Sequence, residues 1–213
     1  GATKVIKGRF DIILTNPPFG TKGKVTNRET LSSFDLGHKW KLNKETGHWE
    51  KESQLFDGQV PDILFIERCL DYLDERGRMG IVIPDGDLTN STVGYLREWI
   101  KNKARILAVV SLPQETFIPH GAGVKASVLF LQKLPPKELA KLKGNDYPVF
   151  MGIIEKIGYD VRGKKICKRN ERGEMINEKG EVIHKPENAA TEEDVSAVIE
   201  TFKEFKKRHK LGF

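Results

Sequence analysis

Hydrophobic residues fall in short runs separated by polar stretches, and this pattern predicts strands that alternate with helices. Runs typical of buried strands occupy residues 10–15, 79–83, 106–112 and 124–131. Apolar positions at helical spacing lie between the first three runs, around residues 61–77 and 90–100. We therefore expect right-handed βαβ units in a mainly parallel sheet. Too few residues separate the last two strands for a helix, so these two should run antiparallel.

Residues 20–59 follow neither period and carry many polar side chains. The sequence predicts a long loop there, and loops of this length are usually either functional or disordered. A functional loop would hold a DNA strand with Trp40, Trp49 and a set of lysines, namely Lys22, Lys24, Lys39, Lys41 and Lys44. A mobile, solvated loop fits the same residues equally well.

The last third of the chain is more polar. Residues 133–147 predict a linker, residues 148–154 a further strand, and Gly173 and Gly180 the turns of a small hairpin region. The basic residues before those turns either contact phosphates or belong to a solvated hairpin; they include Arg162, Lys164, Lys165, Lys168 and Arg169. Thr191 and Asp194 predict a capped start of a final amphipathic helix, whose apolar stripe packs on its own domain or on a partner subunit.

Length, charge and cysteine content limit the class of protein. The chain has 213 residues, a formal net charge of +6 and two cysteines, Cys69 and Cys167. This length suits one domain with a small appendage, and the positive charge suits a polyanionic partner. The sequence contains no membrane-spanning run, no signal peptide and no zinc-ligand spacing. We therefore expect a protein of the reducing cytoplasm, without a metal.

The first strand ends in Asn16-Pro17-Pro18-Phe19, the strongest candidate site in the sequence. The side-chain carbonyl of Asn16 and the backbone carbonyl of Pro17 are neutral hydrogen-bond acceptors, and the prolines restrict the backbone that carries them. Two such acceptors can hold both hydrogens of an amino group on a flat base, while Phe19 stacks on the ring. They localise the amino lone pair and aim it at a methyl donor. Asn-Pro is also a common turn, but its position after a buried strand favours the catalytic interpretation.

This motif resembles the catalytic motif of DNA methyltransferases that make N6-methyladenine. Further stretches narrow the resemblance to the modification (M) subunit of type I restriction-modification systems: residues 80–86, 112–117, 124–131 and 157–160. The resemblance covers most of the chain and implies an incomplete Rossmann-like α/β fold with an antiparallel last hairpin. Residues 1–134 would be the C-terminal part of the catalytic domain. Residues 135–213 would form a linker, a small hairpin region and an amphipathic helix.

The resemblance also implies a reaction and its partners. S-adenosylmethionine would methylate an adenine flipped out of DNA, and Phe117 would be a second aromatic residue against the base. An ordinary core position explains Phe117 equally well. The partners would be DNA, a specificity subunit and a restriction (motor-nuclease) subunit.

One expected feature is missing from the sequence. A methyltransferase of this fold binds its donor at a glycine-rich turn after the first strand, and no such turn occurs here. Asn16 and Pro17 would then form only the edge of the donor site. We expect a fragment that lacks the donor-binding half, is inactive alone and self-associates through an exposed sheet edge.

Two other functions stay open. Similar Asn-Pro-Pro motifs serve methyltransferases that act on guanine in RNA or on glutamine in proteins. Without the donor turn, the chain could also be a non-catalytic module for DNA binding or subunit assembly.

Overall fold

The computed structural model describes residues 6–19, 23–142 and 144–212. Its helices and strands follow in the order β1 (Phe10–Thr15), α1 (Arg28–Ser32), β2 (His38–Leu42), β3 (Trp49–Leu55), α2 (Pro61–Tyr72), β4 (Leu73–Pro84), α3 (Asp85–Thr89), α4 (Gly94–Lys103), β5 (Ala104–Ser111), β6 (Ala126–Lys133), α5 (Pro136–Leu142), β7 (Phe150–Ile153) and α6 (Val195–Arg208). The four strands expected from the hydrophobic runs are present as β1, β4, β5 and β6. The expected later strand is β7.

Five of these strands form a mixed sheet in the order β1-β4-β6-β5-β7. Strand β1 pairs with β4 in parallel, in a register that ends at Thr15 opposite Ile81. The N–H of Leu112, just after β5, donates to the carbonyl of Ala126 at the start of β6 over 3.0 Å. The end of β5 therefore meets the beginning of β6, which confirms the predicted antiparallel pair. The α/β class predicted from the sequence is also confirmed.

The chain divides into two compact units. The first runs to Val109 and resumes over Ser127–Val149. Its core contains fully buried side chains from α2, β4, α4 and β6, including Ile63, Ile66, Ile81, Ile83, Leu96, Ile100, Leu129 and Leu131. Burial of such side chains contributes about 1.5–3 kcal/mol each, so this layer is a principal stabilising feature of the unit.

The second unit comprises Val110–Ala126 and the residues from Phe150 onward. The ring of Phe150 contacts those of Phe202 and Phe205 on α6 at centroid distances of 5.2 and 5.4 Å. A Cβ added to Gly152 would lie 3.2 Å from Val198, so β7 and α6 approach closely at this glycine. Val198, Phe202 and Phe205 of the apolar stripe thus pack within their own unit, whereas Val195 and Ile199 are 40% and 48% exposed.

The prediction of a structureless loop over residues 20–59 is wrong. Asn27 caps α1 by accepting from the N–H of Thr30 at 2.8 Å, and β2 and β3 form an antiparallel hairpin. Trp40 stacks on Tyr95 of α4 at 6.0 Å, and Trp49 meets the same ring edge-on. The two tryptophans thus pack on their own unit, and a role for them in holding DNA stays a prediction.

The boundaries of α2 and β4 also differ from the prediction. Gly77 lies inside β4 and does not end the helix. A Cβ at this position would lie 2.9 Å from the Phe10 carbonyl on β1, so the close approach of the two strands requires glycine. The helix ends at Tyr72, and Lys133 donates to the carbonyls of Leu70 and Leu73 at 2.8 and 2.7 Å. The lysine satisfies carbonyls that a helix end leaves without partners.

Two predictions for the later chain need correction as well. The predicted linker over residues 133–147 contains α5. Helix α6 starts at Val195 and not at Thr191, because Asp194 accepts from the N–H groups of Glu155 and Lys156 at 3.1 and 2.9 Å instead of capping the helix. Within the described ranges, no helix combines the length and apolar character needed to cross a membrane.

Candidate active site

Two segments that the sequence connects with function meet at one edge of the sheet. Because β1 and β4 run parallel and Thr15 lies opposite Ile81, their carboxyl ends point the same way. Asn16 follows β1 directly, and Asp85 follows the end of β4 at Pro84. Ligands of open α/β sheets bind outside the carboxyl ends of the strands, so this edge is the candidate site.

The four residues after β1 differ in exposure. Asn16 and Pro18 are exposed, Pro17 is buried and Phe19 is half-buried. The buried proline fixes the backbone next to Asn16, and the asparagine amide remains accessible from solvent. The segment therefore leaves the Asn16 amide accessible and the Phe19 ring partly accessible.

The sequence assigned no role to the pair formed by Asp85 and Ser127. Asp85 lies at the start of α3, and its Oδ1 accepts a hydrogen bond of 2.7 Å from the Ser127 hydroxyl. Ser127 is on β6 and only 3% exposed. A hydrogen bond from a buried hydroxyl to a carboxylate is among the stronger kinds. It fixes Asp85 at the sheet edge. The sequence signal for this position is that Asp85 comes directly after a predicted strand.

A pair of buried carboxyl groups lies near the start of α3. Asp62 in α2 and Asp87 in α3 are both buried, at 3% and 8% exposure. Burial and the neighbouring charge and hydrogen bond of Asp62 raise the pKa of Asp87 to about 7, against the opposing effect of Arg97. Burial also raises the pKa of Asp62. Asp62 Oδ1 and Asp87 Oδ2 are buried and have no hydrogen-bond partner within the described residues, and a proton shared by the two carboxyl groups would supply one.

The loop that carries Phe117 belongs to the second unit. Thr116 is buried, and its hydroxyl donates to the Pro113 carbonyl at 2.7 Å. The side-chain amide of Gln114 donates to the Gly123 carbonyl at 2.7 Å and so links the beginning of the loop to its end. Phe117 is half-buried and precedes a short 3-10 turn over Ile118–His120. The loop is held together by its own hydrogen bonds, which gives the aromatic residue a defined position.

A model of the protein family "N-6 DNA Methylase" matches residues 2–213. The chain belongs to the N-6 DNA methylase family. The prediction of an adenine-specific DNA methylase family, made from the motif after β1, is therefore confirmed.

Curated relatives of this N-6 DNA methylase family member are distant and longer. The chain is 26% identical, over 66% of its length, to the type I restriction enzyme EcoEI methylase subunit of Escherichia coli, of which the match covers 24%. It is 27% identical, over 60% of its length, to a Methanocaldococcus jannaschii protein named as a candidate type II restriction enzyme and methyltransferase, of which the match covers 9%. The chain thus spans about a quarter or less of the relatives it matches.

Solved structures also resemble the chain. One is a class I S-adenosylmethionine-dependent methyltransferase candidate from Listeria monocytogenes, with 19% identity and a TM-score of 0.49. The match covers 71% of this chain and 38% of that one.

S-adenosylmethionine is the methyl donor of the N-6 DNA methylases, and the described residues fit only part of a site for it. Strand β1 is followed by Asn16 and Pro17, and β4 by Asp85 and Gly86. Neither connection is a glycine-rich turn that lets a ligand approach the backbone. That Asn16 and Pro17 form one edge of a donor site stays a prediction.

The basic residues proposed to contact DNA are distributed over both units. In the first, Lys24 and Lys41 are exposed and Lys39 is half-buried, whereas Lys22 lies outside the described residues. In the second, five exposed cations lie in the hairpin region: Arg162, Lys164, Lys165, Lys168 and Arg169. No cluster of three or more His, Cys, Asp or Glu side chains suited to a metal occurs in the described part of the chain.

Proposed function

We propose that this chain forms part of a site-specific DNA adenine-N6 methyltransferase of a type I restriction-modification system. The observation that carries the proposal is the accessible Asn16 amide at the end of a parallel strand in an N-6 DNA methylase. The similarity to the EcoEI methylase subunit supports type I. Residues 1–134 would contribute the catalytic part, and residues 135–213 would be accessory.

The proposed chemistry rests on two neutral acceptors. The adenine amino group is a poor nucleophile because its lone pair is delocalised into the ring. The Asn16 side-chain oxygen and the Pro17 carbonyl would each accept one amino hydrogen. They thereby turn the nitrogen lone pair out of the ring plane, towards the methyl group. Because both acceptors are uncharged, neither removes a proton before transfer. The amino nitrogen would form its bond to the methyl carbon as the carbon–sulfur bond of the donor breaks, and the methylated, now acidic amino group would then lose a proton to water.

The target adenine has to leave the duplex before it can meet these acceptors. Base flipping costs a few kcal/mol, and stacking on an aromatic side chain recovers about 1–3 kcal/mol. Phe19, half-buried after Pro18, is the proposed stacking partner. We propose Phe117 as a second aromatic contact to the flipped base.

S-adenosylmethionine would supply the methyl group. Asn16 and Pro17 would contribute one edge of its site. The described residues of the chain would orient the acceptor base.

The proposed DNA-backbone contacts are cationic side chains of both units. They are Lys22, Lys24, Lys39, Lys41, Arg162, Lys164, Lys165, Lys168 and Arg169. Contacts of this kind position the duplex and do not read its sequence. A specificity subunit and a restriction subunit are the further partners that we propose, and the specificity subunit would choose the DNA site.

The exposed edge of the sheet supports self-association of the isolated chain. Phe10, Ile12 and Leu14 alternate along β1 and are 42%, 57% and 76% exposed. An exposed, apolar edge strand pairs readily with another chain. We propose that the isolated chain associates through β1.

The proposed function is tested with the full-length protein and isotopically labelled S-adenosylmethionine. Duplex DNA, RNA and protein extracts serve as separate acceptors, and the modified nucleoside is identified by mass spectrometry. The proposal requires N6-methyladenine in DNA. Labelled guanine in RNA, labelled glutamine in protein, or DNA binding without any methyl transfer would overturn it.

A further inference from the structure

The second unit contains three turns built on one pattern. In each, the side-chain oxygen of an Asp or Asn accepts from the N–H groups two and four residues later, over 2.9–3.0 Å. The fourth residue is a glycine with φ between 76° and 82°, which other residues adopt only with strain. The three turns occupy residues 160–164, 170–174 and 177–181, and we call them the first, second and third Asx turn.

The first Asx turn differs from the others in charge. The second and third have a glutamate directly after the asparagine and another at their last position. The asparagine amide donates to that last glutamate at 2.9 and 2.8 Å. In the first turn, Val161 and Lys164 occupy the two glutamate positions. The first turn is therefore net positive, whereas its two copies are net negative.

The first Asx turn is also fixed against the loop that carries Phe117. Tyr159, just before the turn, donates its hydroxyl to the carbonyl of Thr116 at 2.8 Å. A Cβ added to Gly163 would lie 3.5 Å from Pro119, so the tip of the turn rests on the far end of that loop. These two contacts lie on either side of Phe117 in sequence. The turn and the loop thus form one packed element.

The cations around the turn differ in their availability. Lys165 donates to the Ala189 carbonyl and Arg169 to the Gly173 carbonyl, each at 2.6 Å. These two side chains already hold the fold of the hairpin region. Arg162 and Lys164 are exposed, and neither head group forms a hydrogen bond or ion pair with a described residue. The N–H groups of both residues are bound to Asp160, so their backbone is fixed while their head groups face solvent.

We propose that Arg162 and Lys164 bind the DNA phosphates that flank the flipped adenine, and that the first Asx turn sets their distance from Phe117. This inference rests on the proposed function. The arginine fork matches a phosphate in a bidentate way, and the lysine adds a second point charge. Tyr159 acts as a positioning residue, because it joins the cationic turn to the loop of the aromatic side chain.

The chain itself offers a matched control for this proposal. Arg172 and Lys179 occupy the position of Arg162 in the second and third Asx turns. The double variant R172A/K179A therefore removes the same charge as R162A/K164A, from turns of the same geometry. Thermal unfolding of both variants checks that neither change disturbs the fold.

The experiment measures the affinity of the full-length protein for a duplex with its target site, over a range of salt concentrations. R162A/K164A should weaken binding by about tenfold or more and lower the salt slope by nearly two, since each lost phosphate contact removes about 0.9 from it. R172A/K179A should stay within about twofold of the wild type. Equal losses in the two variants, or a loss in neither, would overturn the proposal.

A second variant tests the positioning role of Tyr159. Y159F keeps every charge and removes only the hydrogen bond to Thr116. It should leave the salt slope unchanged and reduce the methylation rate at saturating DNA by several-fold. An unchanged rate would show that turn and loop do not act together. If the wild-type protein methylates DNA but R162A/K164A and R172A/K179A have equal DNA affinity, this inference alone is wrong. If the wild-type protein transfers no methyl group to DNA, the proposed function is wrong.

Discussion

Asp62 at the start of α2 and Asp87 in α3 are buried carboxyl groups, and the charge of Asp62 helps to raise the pKa of Asp87. Two ionised carboxylates that are both buried would repel each other strongly, and a proton shared between them removes that repulsion. The pair therefore lies between the first turn of α2 and α3. Its strength depends on the protonation of Asp87.

The first prediction concerns the pH dependence of stability. Burial and Asp62 raise the pKa of Asp87 from 3.8 to about 7, so the folded protein keeps a proton that the unfolded chain loses above pH 4. The free energy of unfolding should consequently fall as the pH rises from about 4 to 7 and level off above. The loss is on the order of 4 kcal/mol, at about 1.4 kcal/mol per pKa unit.

Asp87→Asn isolates this effect from the other acidic groups. The amide stays neutral and donates to Asp62 at every pH. Urea unfolding at pH 5, 6, 7 and 8 should show the variant gaining stability relative to the wild type as the pH increases. A difference that stays constant across this range would contradict the shared proton.

The second prediction concerns the hydrogen bond between Ser127 and Asp85. Ser127→Ala removes a buried donor to a carboxylate. It should lower the free energy of unfolding by about 1.5–3 kcal/mol, as measured by urea denaturation. Ser91 is an exposed serine before α4, and Ser91→Ala should change stability by less than about 0.5 kcal/mol. Equal effects of the two changes would show that the bond contributes nothing.

The third prediction concerns the exposed edge strand. Leu14→Lys places a charge on the apolar row of β1, and edge lysines block strand pairing. Sedimentation equilibrium of the isolated 213-residue chain should show association for the wild type and a shift towards monomer for the variant. Phe65 on α2 is 40% exposed and belongs to no strand, and Phe65→Lys should leave association unchanged. A wild-type chain that is monomeric at every concentration would count against an associating β1.

Local patterns in the sequence predicted the parts of the fold that depend on them. Strand β1 and the motif that begins at Asn16 were identified because an apolar run ends at an amide and two prolines. Trp40 and Trp49 were assigned to a loop, because their packing on Tyr95 joins residues about fifty positions apart, and no local period reveals such a contact.

The polar pairs were missed for the same reason. Asp85 and Ser127 are 42 residues apart, and only the neighbouring positions of β4 and β6 in the sheet bring them together. Asp62 falls in the helix predicted around residues 61–77, and no local pattern singles out Asp87. Asp194 was expected to cap a helix, but its carboxylate binds two backbone N–H groups after β7. Side-chain partners that lie far apart in sequence require the tertiary structure.

The central claim is that Asn16 holds the amino group of the target adenine. Single-turnover methylation of a target duplex by the full-length protein tests it most directly, with Asn16→Ala compared against Asn102→Ala, an exposed asparagine on α4. By analogy with the loss of one oxyanion-hole donor, Asn16→Ala should slow methyl transfer on the order of a hundredfold or more, with little change in DNA affinity. Asn102→Ala should match the wild type. A rate for Asn16→Ala equal to that of the wild type would contradict the account.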